Sequence, residues 1–212
     1  DGIRDSVASR GLGDVYKRQL YVSGTSPYVR KVRVQAIEGG YWEKIAFIEI
    51  SSPPTAPNLK NVNPLKKVPV LEVDDSTVLF DSRVICEFLD TELGGGQAFP
   101  SEGLARWRAL RMQSLGDGLL DAALLVRYET FLRPKKFSWQ DWQNGQMMKI
   151  DAALKDFEDN SSELDDSMNI GTTTVACMLG YLDFRYPDKV WRNSCPLSLI
   201  HISEPTRRYA IW

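Results

Sequence analysis

The segment LYVSGTSPYVRKVRVQAIEGGYWEKIAFIEI, residues 20–50, reads as one strand-helix-strand unit. Leu20-Tyr21-Val22 is a β-prone run, and Ser23-Gly24-Thr25-Ser26 supplies a turn. Pro27 opens a helix through about Glu38, with Ser26 as its N-cap and proline at the first helical position, where a missing N–H costs nothing. Val29, Val32 and Ala36 share one side, and Arg30, Lys31 and Arg33 are expected partly outward. Gly39-Gly40 ends the helix, and Lys44 to Ile50 alternates enough for a second strand. Strand, helix and strand at this spacing make a βαβ unit.

Outward from that unit, a proline-rich connection (Pro53, Pro54, Pro57, Pro64) leads to two more strands, Val68–Val73 and Thr77–Phe80. Asp74-Asp75-Ser76 joins them as a hairpin, and Asp81-Ser82 opens a helix to about Leu93. Gly94-Gly95-Gly96 and Pro100 mark a linker over residues 94–100. The chain then changes character. Leu104 to about Arg133 reads as one long helix ended by Pro134, and Ser138 caps another that carries Met147, Ile150, Leu154 and Phe157 at helical spacing. A third helix, Gly171 to about Tyr186, is apolar nearly all round and belongs in the middle of a bundle. Trp107, Tyr128, Trp139 and Trp142 read as packing aromatics on these helices. The expected fold class is α+β: a βαβ-ββα domain over residues 20–93, the linker, and an all-α domain over 101–195.

Composition excludes several functions. Lys+Arg 26 against Asp+Glu 28 in 212 residues gives a net charge of −2, which attracts no nucleic acid. No apolar run approaches the ~18 residues of a membrane span; the densest, Leu119–Val126, is broken by Asp121. No membrane partner is therefore expected. Cys86, Cys177 and Cys195 lie far apart without metal-ligand spacing, so no metal is expected and a reduced, cytoplasmic setting is. One histidine, His201, leaves little room for a Ser-His-Asp hydrolase. Residues 1–19 and 196–212 show neither periodicity and are similar to translated adapter sequence, so both are expected to be non-native tails.

Three short signals can carry chemistry. At Thr25-Ser26-Pro27 a hydroxyl faces the unpaired N–H groups and the positive end of a helix, where a thiolate is stabilised; Ser26 can equally be a plain cap. At Val68-Pro69 the X-Pro bond has a cheap cis form, which leaves the Val68 backbone free to pair with an extended peptide; an ordinary strand start is the other reading. At Phe80-Asp81-Ser82-Arg83 a strand runs into a helix start, where a hydroxyl and helix amides can bind a carboxylate and Asp81 an ammonium; again a cap is the other reading.

Taken together and in this order, the three signals resemble the thioredoxin-like half of a glutathione transferase. LARWRALRMQSLGDGLLDAALLVRYETFLRP, WQDWQNGQMMKIDAALKDFE and GTTTVACMLGYLDFRYPDKVWR resemble the helical half of bacterial-type members, so the likeness covers about Leu20 to Asn193. It implies glutathione as co-substrate, with Ser26 (serine class) holding the sulfur as thiolate and Thr25 as second candidate. It implies that the Val68 backbone, before a cis Pro69, pairs with the cysteinyl part, and that Asp81 and Ser82 hold the γ-glutamyl end. Arg127 and Tyr128 are the polar candidates for the site of a small hydrophobic electrophile, on the long helix that walls it in this family. The implied activity is conjugation in the service of detoxification, in a homodimer; a non-catalytic docking module and a glutathione-dependent isomerase are the alternatives.

The chain departs from the family pattern in places. Lys66 stands where relatives commonly have glycine, and Ser76 where the hairpin usually does, a cost if φ is positive there. Thr172 replaces the acidic half of a capping box that starts at Asn169, which is expected to leave one backbone N–H poorly served. The likeness ends near Asn193, so a truncated helical half, with its third helix partly uncovered and loose, is expected.

Overall fold

The computed structural model describes residues 18–50, 62–74, 76–164, 168–193 and 195–196. Strand β1 (Arg18–Val22) leads into helix α1 (Pro27–Glu38), and β2 (Ile45–Glu49) returns parallel to β1. The strands β3 (Val70–Glu72) and β4 (Val78–Leu79) are short, and α2 (Ser82–Leu89) follows, continued by a π-helical turn, Asp90–Gly94. The sheet order is β2-β1-β3-β4, with β3 antiparallel to both its neighbours. Beyond the connection come α3 (Gly103–Phe131), α4 (Gln140–Asp159) and α5 (Ile170–Arg185). The architecture is α+β, a thioredoxin-like sheet domain followed by a helical one.

Two apolar cores hold these halves. In the first, Leu20, Val22 and Leu71 of the sheet meet Val29, Val32 and Ala36 of α1 and Ile85 and Leu89 of α2. In the second, Leu119, Leu120 and Ala123 of α3 pack with Ile150, Leu154 and Phe157 of α4 and Val175, Met178 and Leu182 of α5. Helix α5 approaches α3 closely at Gly171, where a Cβ would lie 2.8 Å from the Ala109 carbonyl oxygen. The connection between the halves is tied down. The buried Asp90 carboxylate accepts the N–H groups of Gln97, Ala98 and Phe99 at 3.1–3.2 Å, and Ile170 N–H donates to Ala98 O at 2.9 Å.

Several expectations are corrected. Strand β1 starts at Arg18, so Arg18 and Gln19 pair with β2 and Gln19 also with β3 rather than belonging to a tail. The remaining tail residues 1–17 and 197–212, the prolines 53, 54 and 57, and Asp75 of the hairpin lie outside the described residues. Helix α5 is covered: residues 170–179 are all buried, solvent reaches only 180 and 183–185, and α3, α4, Trp191 and Cys195 contribute to the same cluster. Arg30 and Lys31 are buried rather than outward, Lys31 because it pairs with a carboxylate of the helical half, as described below. The N-cap position of α4 is Trp139, not Ser138, and no side chain caps the helix there; the Ser138 hydroxyl instead accepts from Gln143 Nε2 at 2.8 Å. Trp107 and Trp139 are exposed, not packed.

The family departures also resolve. The Thr172 hydroxyl serves in place of a carboxylate, accepting the Asn169 N–H at 3.0 Å while Asn169 Oδ1 accepts from Gly171 and Thr172, so the capping box is complete. At the hairpin, Asp74 Oδ1 accepts from Ser76 N–H, Ser76 Oγ and Thr77 N–H at 2.8–2.9 Å and closes the turn. Lys66 is where the strain falls, at φ 53°. A side chain in that region costs roughly 1–2 kcal/mol, so Lys66→Gly is expected to raise stability by about 1 kcal/mol, read as a higher urea midpoint. An unchanged or lower midpoint would show that the exposed lysine is not strained.

Candidate functional site

The register of the sheet brings the three sequence signals to one edge. Leu20 pairs with Leu71 and Tyr21 with Val70, so the residues preceding β3 lie beside the end of β1. Leu71 pairs with Leu79, so the chain leaving β4 ends at that same edge. Ser26 after β1, Val68-Pro69 before β3 and Asp81-Ser82 after β4 are therefore neighbours across three strands. Sequence alone placed each at an element boundary; only the register assembles them.

Ser26 is half-buried and takes an extended conformation, φ −84° and ψ 121°, before Pro27. Its Oγ accepts from Val29 N–H at 3.3 Å, which leaves its proton free to be donated elsewhere. The turn beneath it is fixed, since Ser26 N–H donates to Ser23 O at 3.1 Å and Gly24 N–H to Glu49 Oε1 at 2.8 Å. Thr25 is exposed beside it. The Val68–Pro69 bond is cis, and Val68 stands outside the β3 ladder with no backbone hydrogen bond among the described residues. Asn63 Nδ2 holds the preceding Lys67 carbonyl at 2.9 Å. Asp81 caps α2, its Oδ1 accepting Arg83 N–H at 2.9 Å while the residue stays exposed. Ser82 is buried, and its hydroxyl makes no hydrogen bond among the described residues. A helix N-terminus, a bare strand edge and a capped carboxylate beside a hydroxyl fit a short extended peptide bearing an anionic end.

The helical half reaches this edge through charges that sequence reasoning missed. Asp117 of α3 is buried and accepts from Lys31 Nζ of α1 at 2.7 and 2.8 Å and from Arg83 Nε of α2 at 2.8 Å. Burial pulls the Arg83 guanidinium down, and the hydrogen bond and charge of Asp117 more than offset it, leaving Arg83 above its ordinary value. Tyr28, next to Pro27, donates its hydroxyl to Asp121 Oδ1. Its phenol is pushed up, first by burial and then by that carboxylate, so it stays protonated. The signal for these pairs was Asp117 and Asp121 one turn apart in an apolar run, with Tyr28 and Lys31 one turn apart on α1. Because the order of partners is reversed, α1 and α3 run antiparallel here, and Ser26 lies toward the α3 residues after Asp121.

Arg127 and Tyr128 lie on that continuation, about two turns or roughly 10 Å beyond Asp121. No hydrogen bond or ion pair among the described residues joins them to Ser26. Arg127 stacks its guanidinium 3.8 Å from the Phe131 ring centroid. Tyr128 lines an open groove of about 470 Å³ with Leu125, Leu132 and Trp142. Burial pushes the thiols of Cys86 and Cys177 up to about 12, so neither is a nucleophile at neutral pH. No group of His, Cys, Asp and Glu side chains suited to a metal occurs among the described residues, and no helix there is long and apolar enough to cross a membrane.

A family model described as glutathione S-transferase, N-terminal domain, matches residues 25–92. The chain is 33% identical over 179 residues to the uncharacterized GST-like protein YibF of Escherichia coli (strain K12), covering 82% of this chain and 86% of that protein. Among solved structures, a glutathione transferase family member from Pseudomonas fluorescens Pf-5 with bound glutathione is 40% identical, with 92% of this chain and 97% of that one covered and a TM-score of 0.87. The same family member, at TM-score 0.83 and with the same coverage of 92% and 97%, also carries bound S-(propanoic acid)-glutathione at 40% identity. A transferase from Methylobacillus flagellatus KT with glutathione bound is 30% identical, covering 91% of this chain and 98% of that one, at TM-score 0.82.

Proposed function

The chain belongs to the glutathione S-transferase family, and from that membership we propose that it binds glutathione and conjugates its sulfur to small hydrophobic electrophiles. One observation carries the reading: the strand register gathers Ser26, Val68-Pro69 and Asp81-Ser82 at a single sheet edge. Ser26 donates its free hydroxyl proton to the glutathione sulfur and favours the thiolate, with Thr25 the second candidate. The Val68 N–H and C=O pair with the cysteinyl segment beside cis Pro69. Asp81 holds the γ-glutamyl ammonium and Ser82 its carboxylate. The thiol proton leaves to solvent, the sulfur attacks an electrophilic carbon to form the C–S bond, and the displaced group departs with its bonding electrons. The electrophile lies against α3, with Arg127 and Tyr128 as the polar groups of its wall.

The joint presence of Ser26, Val68, Asp81 and Ser82 favours ligand use over a pure docking role. The bound S-(propanoic acid)-glutathione of the Pseudomonas relative favours testing acid-bearing electrophiles as well, including an isomerase assay on a maleyl-type acid. The proposed setting is cytoplasmic and the proposed assembly a homodimer, which sedimentation at tens of micromolar (roughly the range in which a weak complex shows) tests. Isothermal titration with glutathione, followed by assays with an aryl halide, a peroxide and a maleyl-type acid, tests the activity. Ser82→Ala removes a hydroxyl partner of a carboxylate and is expected to weaken glutathione binding by roughly 1.5–3 kcal/mol. Wild-type protein that shows no heat of binding at millimolar glutathione sinks the proposal.

A further inference from the structure

We propose that the connection between α3 and α4 is a docking tip for an anionic membrane surface. It carries large apolar side chains that point outward: Phe131 at the end of α3 is 66% exposed, Leu132 54%, Phe137 59% and Trp139 62%. They are not the side chains of a loose loop. The buried Glu129 carboxylate accepts Arg133 Nε at 2.6 Å and the Trp139 main-chain N–H at 3.1 Å, stapling the end of α3 to the start of α4. Between them Lys135–Phe137 forms a 3₁₀ turn, with Phe137 N–H on Pro134 O at 2.9 Å and Ser138 N–H on Lys135 O at 3.1 Å. The turn thus holds its aromatic side chains in water at a cost, and a buried charge is committed to keeping it so.

Charge selects the occupant. Lys135 and Lys136 form no ion pair among the described residues: of the carboxylates nearest in the chain, Glu129 is already engaged by Arg133, and Asp141, exposed in the first turn of α4, pairs with neither lysine. The tip is cationic on a chain whose net charge is −2, so an acidic surface is attracted to this face rather than to the molecule as a whole. Exposed Trp and Phe beside lysines on a rigid turn suit the headgroup boundary of a bilayer, where rings enter the acyl edge and ammonium groups stay with lipid phosphates. The absence of a spanning helix among the described residues is no obstacle, because a surface contact needs none. The tip lies at the far end of the helix that carries Tyr128, so docking holds that wall close to the phase in which apolar compounds concentrate.

The test is co-sedimentation of the full chain with vesicles of phosphatidylcholine alone and of equal parts phosphatidylcholine and phosphatidylglycerol, at low and high salt. Binding is expected to the anionic vesicles only and to be released by salt. Each lysine near such a surface is worth about 1 kcal/mol, so the double substitution Lys135→Glu and Lys136→Glu is expected to weaken binding by about tenfold or more. Phe137→Ser with Trp139→Ser is expected to abolish it, with the fold intact, since Glu129 uses only the backbone of Trp139. Matching melting curves for variants and wild type confirm that the fold is kept. No binding to anionic vesicles overturns the proposal, as does binding that both variants retain. Self-association that the Phe137→Ser, Trp139→Ser variant abolishes also overturns it, by assigning the tip to a second copy of the chain. Glutathione titration of the same variants is read separately, because neither pair touches the peptide-binding edge.

Discussion

Ser26→Ala is expected to keep glutathione affinity nearly intact while cutting turnover at neutral pH by roughly ten- to a hundredfold. A hydrogen bond to a charged acceptor contributes about 1.5–3 kcal/mol, and each pKa unit of thiol is about 1.4 kcal/mol. In the wild type the Ser26 hydroxyl is free to donate because its oxygen, not its proton, is spent on the Val29 N–H. Stabilising the thiolate lowers the bound thiol pKa below the ordinary ~8.5, and removing the donor lets it rise again. The variant should therefore recover rate as pH increases, while the wild type is already on its plateau. Ser26→Ala also loses a helix cap, at about 1 kcal/mol, so a melting curve is run alongside. A rate loss that does not recover with pH would place the defect in the cap rather than in the thiolate.

Asp117→Ala is expected to be the most destabilising single change in the molecule. Lys31 is fully buried and both of its contacts are the two oxygens of Asp117, which also holds Arg83. Removing one partner of a buried pair costs about 3–5 kcal/mol, a large part of the 5–15 kcal/mol typical of a domain. Lys31→Met is expected to cost much less, since the charge leaves with its side chain and Asp117 keeps Arg83. The double variant Lys31→Met, Asp117→Leu should recover most of the loss. Urea unfolding of the three variants decides it. Equal midpoints for Asp117→Ala and Lys31→Met would mean that the uncompensated charge is not what destabilises.

The fold was legible because its signals are local. Ser26-Pro27, Val68-Pro69 and Asp81-Ser82 announce a helix start, a strand start and a second helix start by their own backbone chemistry. Lys31 was not legible in the same way. In the run Arg30-Lys31-Val32-Arg33 it looks like part of a solvated face, and its partner lies on another helix in the other half of the chain. Long-range pairing of charges leaves no periodic trace. Thr172 was misjudged for a different reason: the pattern of a capping box names carboxamides and carboxylates, whereas the geometry asks only for an acceptor within reach of the Asn169 N–H. Trp139 was misjudged because helical spacing cannot tell an inward face from a turn that points its aromatic outward.

On the proposed reading, glutathione sits at the common edge of β1, β3 and β4 with its sulfur as thiolate at Ser26. The most direct test is a pH titration of the ultraviolet thiolate absorption of glutathione bound to the wild-type chain. The thiol is predicted to titrate at least about one unit below the ordinary ~8.5, and to move back up in Ser26→Ala. A bound thiol that titrates where the free one does, or at the same pH in both proteins, would contradict the account.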